Sequence, residues 1–217
     1  MKKTLLLLFI CFSATVYSQQ GRKMKILNAD ITYQDKENPD VTISVGNVFV
    51  EIDGATIRCK RVEIYSKDNY LKARGNVVMN QGDTIIQTSK FSDYDGNTKL
   101  AKSWGDVVLK DPTMTLTTET LHFDREKQFL YYKTKGVIKD SVNVLKSNMG
   151  NYYLETNKFQ ALSKVVITNP DQVIETNHLD YYTDSGKAYL YKPSTITGDK
   201  SFIYTEKGFY DTKNKVS

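Results

Sequence analysis

Odd and even positions separate between Leu71 and Met79. Leu71, Ala73, Gly75, Val77 and Met79 are apolar or lack a side chain, whereas Lys72, Arg74 and Asn76 are polar. Alternation with period two places every second side chain on one face of a strand. The stretch therefore predicts a continuous strand with one buried face, passing through Gly75. A glycine inside such a strand suggests a bend or bulge where another backbone or a ligand comes close, and Gly46, Gly105 and Gly136 stand in comparable settings. In the next strand the phase changes: Ile57 and Cys59 share a face, but Val62 and Ile64 sit at odd offsets from them. Keeping both pairs inside requires a corner between Cys59 and Val62.

The pattern then repeats. Aligning the chain on Ile57 gives Ile57, Ile86, Leu116, Leu145, Ile174 and Ile203, separated by 29, 30, 29, 29 and 29 residues. Two positions after each comes a small side chain, Cys59, Thr88, Thr118, Ser147, Thr176 and Thr205. Five positions after each come Val62, Phe91, Leu121, Gly150, Leu179 and Gly208, usually with Tyr or Phe two or three places later. A fixed period of this length marks a stacked repeat architecture. Runs of Val, Ile, Thr, Tyr and Phe alternate with turn clusters such as Asp53-Gly54, Gln81-Gly82-Asp83, Asp95-Gly96-Asn97 and Asp184-Ser185-Gly186, and no window shows a helical apolar period. The fold class is all-β. Strands bent at matching points build either two facing sheets or a folded-over jelly roll.

Residues 24–45 form a looser copy, read as an N-terminal capping hairpin, and 195–217 form an incomplete last repeat. The repeat glycine fades after Gly136: Lys164-Val165 and Lys192-Pro193-Ser194 stand at the equivalent places, so the bend there is made by other means or opened out. Residues 1–18 read as a signal peptide, with Lys2-Lys3, an apolar run from Leu5 to Phe12, and small residues before a cut after Ser18. Cys11 follows Ile10, where a lipid-attachment signal wants a small side chain. Without Lys2 and Lys3 the formal charge falls from +5 to +3. An exported, weakly basic chain disfavours a nucleic-acid partner. Cys59 is the one cysteine beyond the signal, so no intrachain disulfide is available.

Candidate chemistry is sparse. His122 and His178 fall at different offsets in their repeats and have no carboxylate at metal-ligand spacing. Cys59 occupies a small-residue packing position, and Asp93-Tyr94-Asp95-Gly96-Asn97 lacks the remaining ligands of a calcium loop. The reading is a non-enzyme with no cofactor and no metal. Arg58-Cys59-Lys60-Arg61 is either a solvated sheet face or a site for anionic head groups.

The repeated Gly-Asn/Asp-Val-Val unit, the Thr-Ile-x-Thr/Cys-x-x-Val-x-x-Tyr half-repeat and the signal peptide together resemble the OstA-like family of periplasmic lipopolysaccharide-transport proteins, the group that includes LptA. The resemblance spans residues 26 to 211, inside a domain of 24–217. It implies an open β-jelly roll of stacked, bent antiparallel strand pairs with a repeat of about 29 residues, located in the periplasm. It further implies an apolar interior for lipopolysaccharide or a related lipid, partners among the envelope transport components at the inner and outer membranes, and head-to-tail homo-oligomers. The apolar groove candidates are Val48, Val50, Ile57, Val62, Ile64, Val77, Met79, Ile86, Phe91, Val107, Leu109, Leu116, Leu121, Leu145, Ile174 and Leu179, with Arg58, Lys60 and Arg61 as head-group candidates. Alternatively, the same side chains pack a dry core in a structural or protein-interaction module of the envelope. A β-solenoid enzyme would need clustered carboxylates on one exposed face, and the polar positions do not recur that way.

Overall fold

The computed structural model describes residues 24–82, 84–212 and 214; the expected signal peptide lies outside them. The strands are β1 (Lys25–Asn28), β2 (Ile31–Gln34), β3 (Val41–Ile52), β4 (Ala55–Tyr65), β5 (Tyr70–Gln81), β6 (Ile85–Asp95), β7 (Leu100–Lys110), β8 (Thr115–Asp124) and β9 (Phe129–Tyr132). They continue with β10 (Gly136–Lys139), β11 (Val144–Ser147), β12 (Met149–Tyr153), β13 (Lys158–Thr168), β14 (Gln172–Tyr182), β15 (Lys187–Leu190), β16 (Ser194–Gly198), β17 (Ser201–Thr205) and β18 (Gly208–Asp211). From β3 to β8 each strand pairs antiparallel with the next. Beyond β8 the long strands split in two: the first half of β8 pairs with β10 and its second half with β9, and β13 receives β11 and β12 in the same divided way. The fold is all-β, one antiparallel sheet bent along its length into two arms that face each other, in keeping with the jelly-roll expectation.

The bend is made residue by residue. Gly46-Asn47, Gly75-Asn76 and Gly105-Asp106 each take a pair of left-handed conformations, with φ of 75° and 44°, 79° and 48°, and 79° and 54°. In each case the pair stands opposite a single residue of the neighbouring strand, Lys60, Lys90 and Glu119 respectively. Two residues facing one is a β-bulge, which turns the strand and raises its local twist. Glycine takes the first position at no steric cost, and Asn or Asp tolerates the second. In β13 the glycine is gone, yet Ser163-Lys164 adopts the same pair at φ of 62° and 49°, opposite Asn177. The bend therefore survives the loss of the motif. At Lys192-Pro193 it is opened out, and the strand divides there into β15 and β16.

A Gly75→Ala substitution would place a Cβ in a left-handed conformation and 3.1 Å from the Lys60 side chain. The expected loss is about 1–2 kcal/mol of stability, mostly backbone strain, read from the urea midpoint; Gly75→Asn should lose less. Equal midpoints for all three proteins would show that the bulge does not need its glycine.

Gly136 departs from the bend expectation. Its own φ is not positive; Lys135 carries the left-handed conformation, at φ 62°. The glycine is there because a Cβ would lie 2.3 Å from the Tyr132 ring, with Gly150 making room for the same ring from the next strand.

Both arms turn their apolar side chains inward. In β4, Ala55, Ile57 and Cys59 are buried in the first arm and Val62 and Ile64 in the second, so the corner falls between Cys59 and Val62 as the phase change requires. Val48, Val50, Val77, Met79, Val107, Leu109, Leu116, Leu121, Leu145, Ile174 and Leu179 are buried in the same interior. Two expected members are not. Ile86 is 44% exposed, and its neighbour Gln87 points inward in its place. Phe91 lies on the outer face, stacked on Trp104 at 5.4 Å, while Ser92 is buried. The inward position lies 30 residues after Ile57 and not 29: Gln87, not Ile86, stands opposite Met79, and a one-residue slip moves every side chain of a strand to the other face.

Candidate functional site

The interior between the arms is closed and largely apolar. Where Met79, Ile85, Leu109, Phe123, Leu130 and Leu154 meet Gln81 and Gln87, the cavity amounts to about 10 Å³, which is room for about one water. The polar side chains that do enter satisfy one another. Gln87 donates to the Ser103 hydroxyl at 2.6 Å, Ser103 donates to Ser92 at 3.0 Å, and Ser89 donates to the Phe91 carbonyl. They form a polar band across the second repeat, where the aligned pattern predicts Ile86 and Phe91.

Opposite the bend, the tips of the arms meet along a mouth, and the contacts there recur with the repeat. Tyr94 on the second arm donates to Asp53 Oδ2 on the first at 2.6 Å. Tyr152 donates to Asp111 Oδ2 at 2.7 Å, and Tyr181 donates to Asp140 Oδ2. In all three pairs the tyrosine follows its aspartate by 41 residues. Asp111 and Asp140 each use both oxygens: Oδ1 accepts the backbone amides that close its own turn, Thr113 and Met114 or Val142 and Asn143, and Oδ2 accepts the hydroxyl from the other arm. Asx-type turns of this kind are why Asp stands at the arm tips. Further bridges run Thr113 to Thr183, Asn143 to Thr212, and the Arg125 guanidinium to the carbonyls of Ile52 and Asp53.

The electrostatics suit a closed mouth. Burial first, then the hydrogen bond to a carboxylate, raises the hydroxyl pKa of Tyr94, Tyr152 and Tyr181 well above the ordinary tyrosine value. Burial acts to raise Asp140, but the Tyr181 hydroxyl and the amides of Asn143 and Val142 outweigh it and hold the carboxyl below its ordinary range. The Asp140–Tyr181 clasp therefore keeps a neutral phenol on an ionised carboxylate at neutral pH.

Sequence reasoning did not pick out these residues. Tyr94, Tyr152 and Tyr181 do stand at multiples of 29 along the chain, as do Asp53, Asp111 and Asp140, but pairing them requires knowing that the arm tips touch.

Arg58, Lys60 and Arg61 lie on the outer surface at and beside the bend, away from the mouth. The Arg58 guanidinium covers the Phe49 ring at 3.8 Å and Arg61 pairs with Glu63 at 3.0 Å. Cys59 is buried, and burial pushes its thiol pKa up, the opposite of an activated nucleophile. His122 stacks flat on Tyr131 at 4.7 Å, and His178 lies 3.9 Å from Asp180. Among the described residues no group of three or more His, Cys, Asp or Glu side chains could hold a metal ion, and no helix is long and apolar enough to cross a membrane.

A family model described as "OstA-like protein" matches residues 21–169 of this chain. No curated protein matches. Among solved structures, similarity is found to LptH of Pseudomonas aeruginosa, described as the LptA-homologous periplasmic component of the conserved lipopolysaccharide transport device. The two are 15% identical over 46% of this chain and 76% of that one, with a TM-score of 0.43.

Proposed function

This chain belongs to the OstA-like family, and from that premise we propose that it is a periplasmic, non-enzymatic carrier that binds lipopolysaccharide or a related lipid in transit between the inner and outer membranes. The observation that carries the reading is the long apolar interior between the arms, which runs from Val50 through Leu109, Leu116 and Leu145 to Ile196 and is crossed in the second repeat by the polar band of Gln87, Ser103 and Ser92. An alkyl chain in water is held mainly by burial, at roughly 0.8 kcal/mol per methylene. A long strip of aliphatic side chains therefore suits the lipid better than any small set of charges would. The interior is packed, so the chain is admitted only when the arms part. The envelope transport components at either membrane are the partners this reading implies.

The tight packing of the same interior favours a second reading, a structural or protein-interaction repeat of the envelope. The experiment that separates them is photocrosslinking in living cells, with a photoreactive amino acid replacing Leu109 or Leu116. Lipid adducts at these positions, and none at outward Ile86, are expected of a carrier. A complete lack of lipid adducts from the interior positions would sink the carrier and leave the structural repeat.

A further inference from the structure

The outer face of the second arm carries aromatic rings on adjacent strands. Phe91 stacks on Trp104 at 5.4 Å, and His122 lies flat on Tyr131, which also meets Phe129 at 5.7 Å. Cross-strand ring pairs steady a sheet whether or not anything binds, so the rings alone assign no site. Two further observations do. Between the Tyr70–Asp93 pair and His122 this face dips into an open depression of about 260 Å³, with Asp95, Leu100 and Lys102 along its sides. Ala101 and Phe123 turn their side chains into the interior, so they present only backbone to it. The charges lining it are of both signs and are not all spent. Asp93 is fully occupied, by Arg74 at 2.6 Å and by the Tyr70 hydroxyl at 2.9 Å. Asp95 accepts the turn amides of Asn97 and Thr98 with Oδ1, and among the described residues it pairs with no cation. Lys102 in turn pairs with no carboxylate among the described residues and lies over the Trp104 ring at 5.4 Å.

We propose that this depression is a binding site for one neutral sugar ring, a hexopyranose, held between Asp95, Lys102 and the open face of His122. Charge selects the class of ligand. An anion would meet Asp95 and a cation would meet Lys102, whereas a hydroxyl both donates to a carboxylate and accepts from an ammonium. His122 supplies the platform. Tyr131 on β9 covers one face of the imidazole, and the other face looks toward β7, where Leu100 and Lys102 border the depression. Burial first, then the charges of Lys102 and Lys133, lowers the His122 pKa, so the ring is neutral at neutral pH. The negative face of an aromatic ring attracts the C–H bonds that line one side of a pyranose. Size agrees with a single ring, since pockets that enclose a drug-sized ligand hold roughly 300–1,000 Å³. The site lies outside the arms, so it requires no opening of the mouth and does not rest on the carrier reading.

The chain has two histidines, and this makes the test direct. His178 stands on the same arm, tilted against Tyr191 at 4.9 Å, and serves as the internal control. The ring-proton resonances of both are followed by NMR in the purified chain, at a fixed pH where both rings are neutral. The probes are glucose, galactose and N-acetylglucosamine, with glycerol as a polyol that has no ring and acetate as a bare anion. At least one of the sugars is expected to shift His122 saturably in the millimolar range and to leave His178 in place. Saturating the aromatic protons should then transfer magnetisation to the ring protons of that sugar, and His122→Ala should abolish the transfer. Lys102→Met should weaken the same sugar about tenfold, as loss of a hydrogen bond to a charged group does, at an unchanged melting temperature. No saturable shift with any of the three sugars overturns the proposal, as do equal shifts of both histidines. Glycerol or acetate acting as strongly as the sugars, or an undiminished affinity in a well-folded Lys102→Met protein, overturns it too.

Discussion

Phe159→Ala is expected to cost about 3–5 kcal/mol, as deletion of a fully buried aromatic side chain does, and so to remove a large part of the stability of a chain of this size. The ring is 0% exposed and stands in the second arm among two other buried rings, 6.1 Å from Tyr132 and 6.5 Å from Tyr152. Two glycines make this cluster. A Cβ at Gly150 would fall 2.3 Å from the Phe159 ring and 2.6 Å from Tyr132, and one at Gly136 would fall 2.3 Å from Tyr132. On one side the rings lie over the bare backbone of Gly136 and Gly150, so no side chain from there can collapse into the space that Phe159 vacates. Gly150→Ala alone should also destabilise, by overpacking. In the Phe159→Ala background the added methyl no longer meets the Phe159 ring and keeps only its close approach to Tyr132, so the two losses should be non-additive. Urea denaturation of the four proteins measures this cycle. Additive losses, or a cost below about 1 kcal/mol for Phe159→Ala, would mean that the ring does not pack as described.

The repeat and its bend could be read from the sequence because both are local. Alternation across Leu71 to Met79 and the phase break between Cys59 and Val62 need only a strand's period of two, and the positive φ of Gly75 follows from the one residue type that adopts it freely. Four features escaped for physical reasons that differ. The turn after Gln81 carries one extra residue, and apolar Ile86 at the aligned position concealed that inward Gln87 continues the register. Gly136 looked like another bend residue, but a close approach by the Tyr132 ring demands it, and sequence does not show which side chain arrives from across the sheet. Ser163-Lys164 shows the converse, a bulge kept by the surrounding ladder with no glycine to announce it. The clasps were the least legible. Aspartates at turns and tyrosines at strand ends are each explained locally, and their pairing exists only once the two arms face each other.

Asp140→Ala should cost about 3 kcal/mol, since a buried, charge-assisted hydrogen-bond network loses its acceptor. The carboxylate holds the Tyr181 hydroxyl with one oxygen and the turn amides of Val142 and Asn143 with the other, and Asn143 in turn reaches Thr212. Removing it undoes the turn and the clasp together, whereas Tyr181→Phe releases only the clasp and should cost less. The pH dependence separates the partners. The folded pKa of Asp140 is lowered, so its contribution is complete above the unfolded carboxyl value of about 4 and is lost as pH falls through the folded value. The folded pKa of Tyr181 is raised, through burial first and the Asp140 hydrogen bond second. Its contribution is therefore complete below the unfolded phenol value of about 10 and disappears as pH rises through the folded one. Between those limits the clasp adds no slope to the stability curve. Asp140→Asn, which keeps an oxygen for the turn amides, should flatten the acid limb, and Tyr181→Phe should flatten the alkaline limb. Melting temperatures of the three proteins across both limbs test this, and a wild-type slope retained in both variants would show that the titrating groups lie elsewhere.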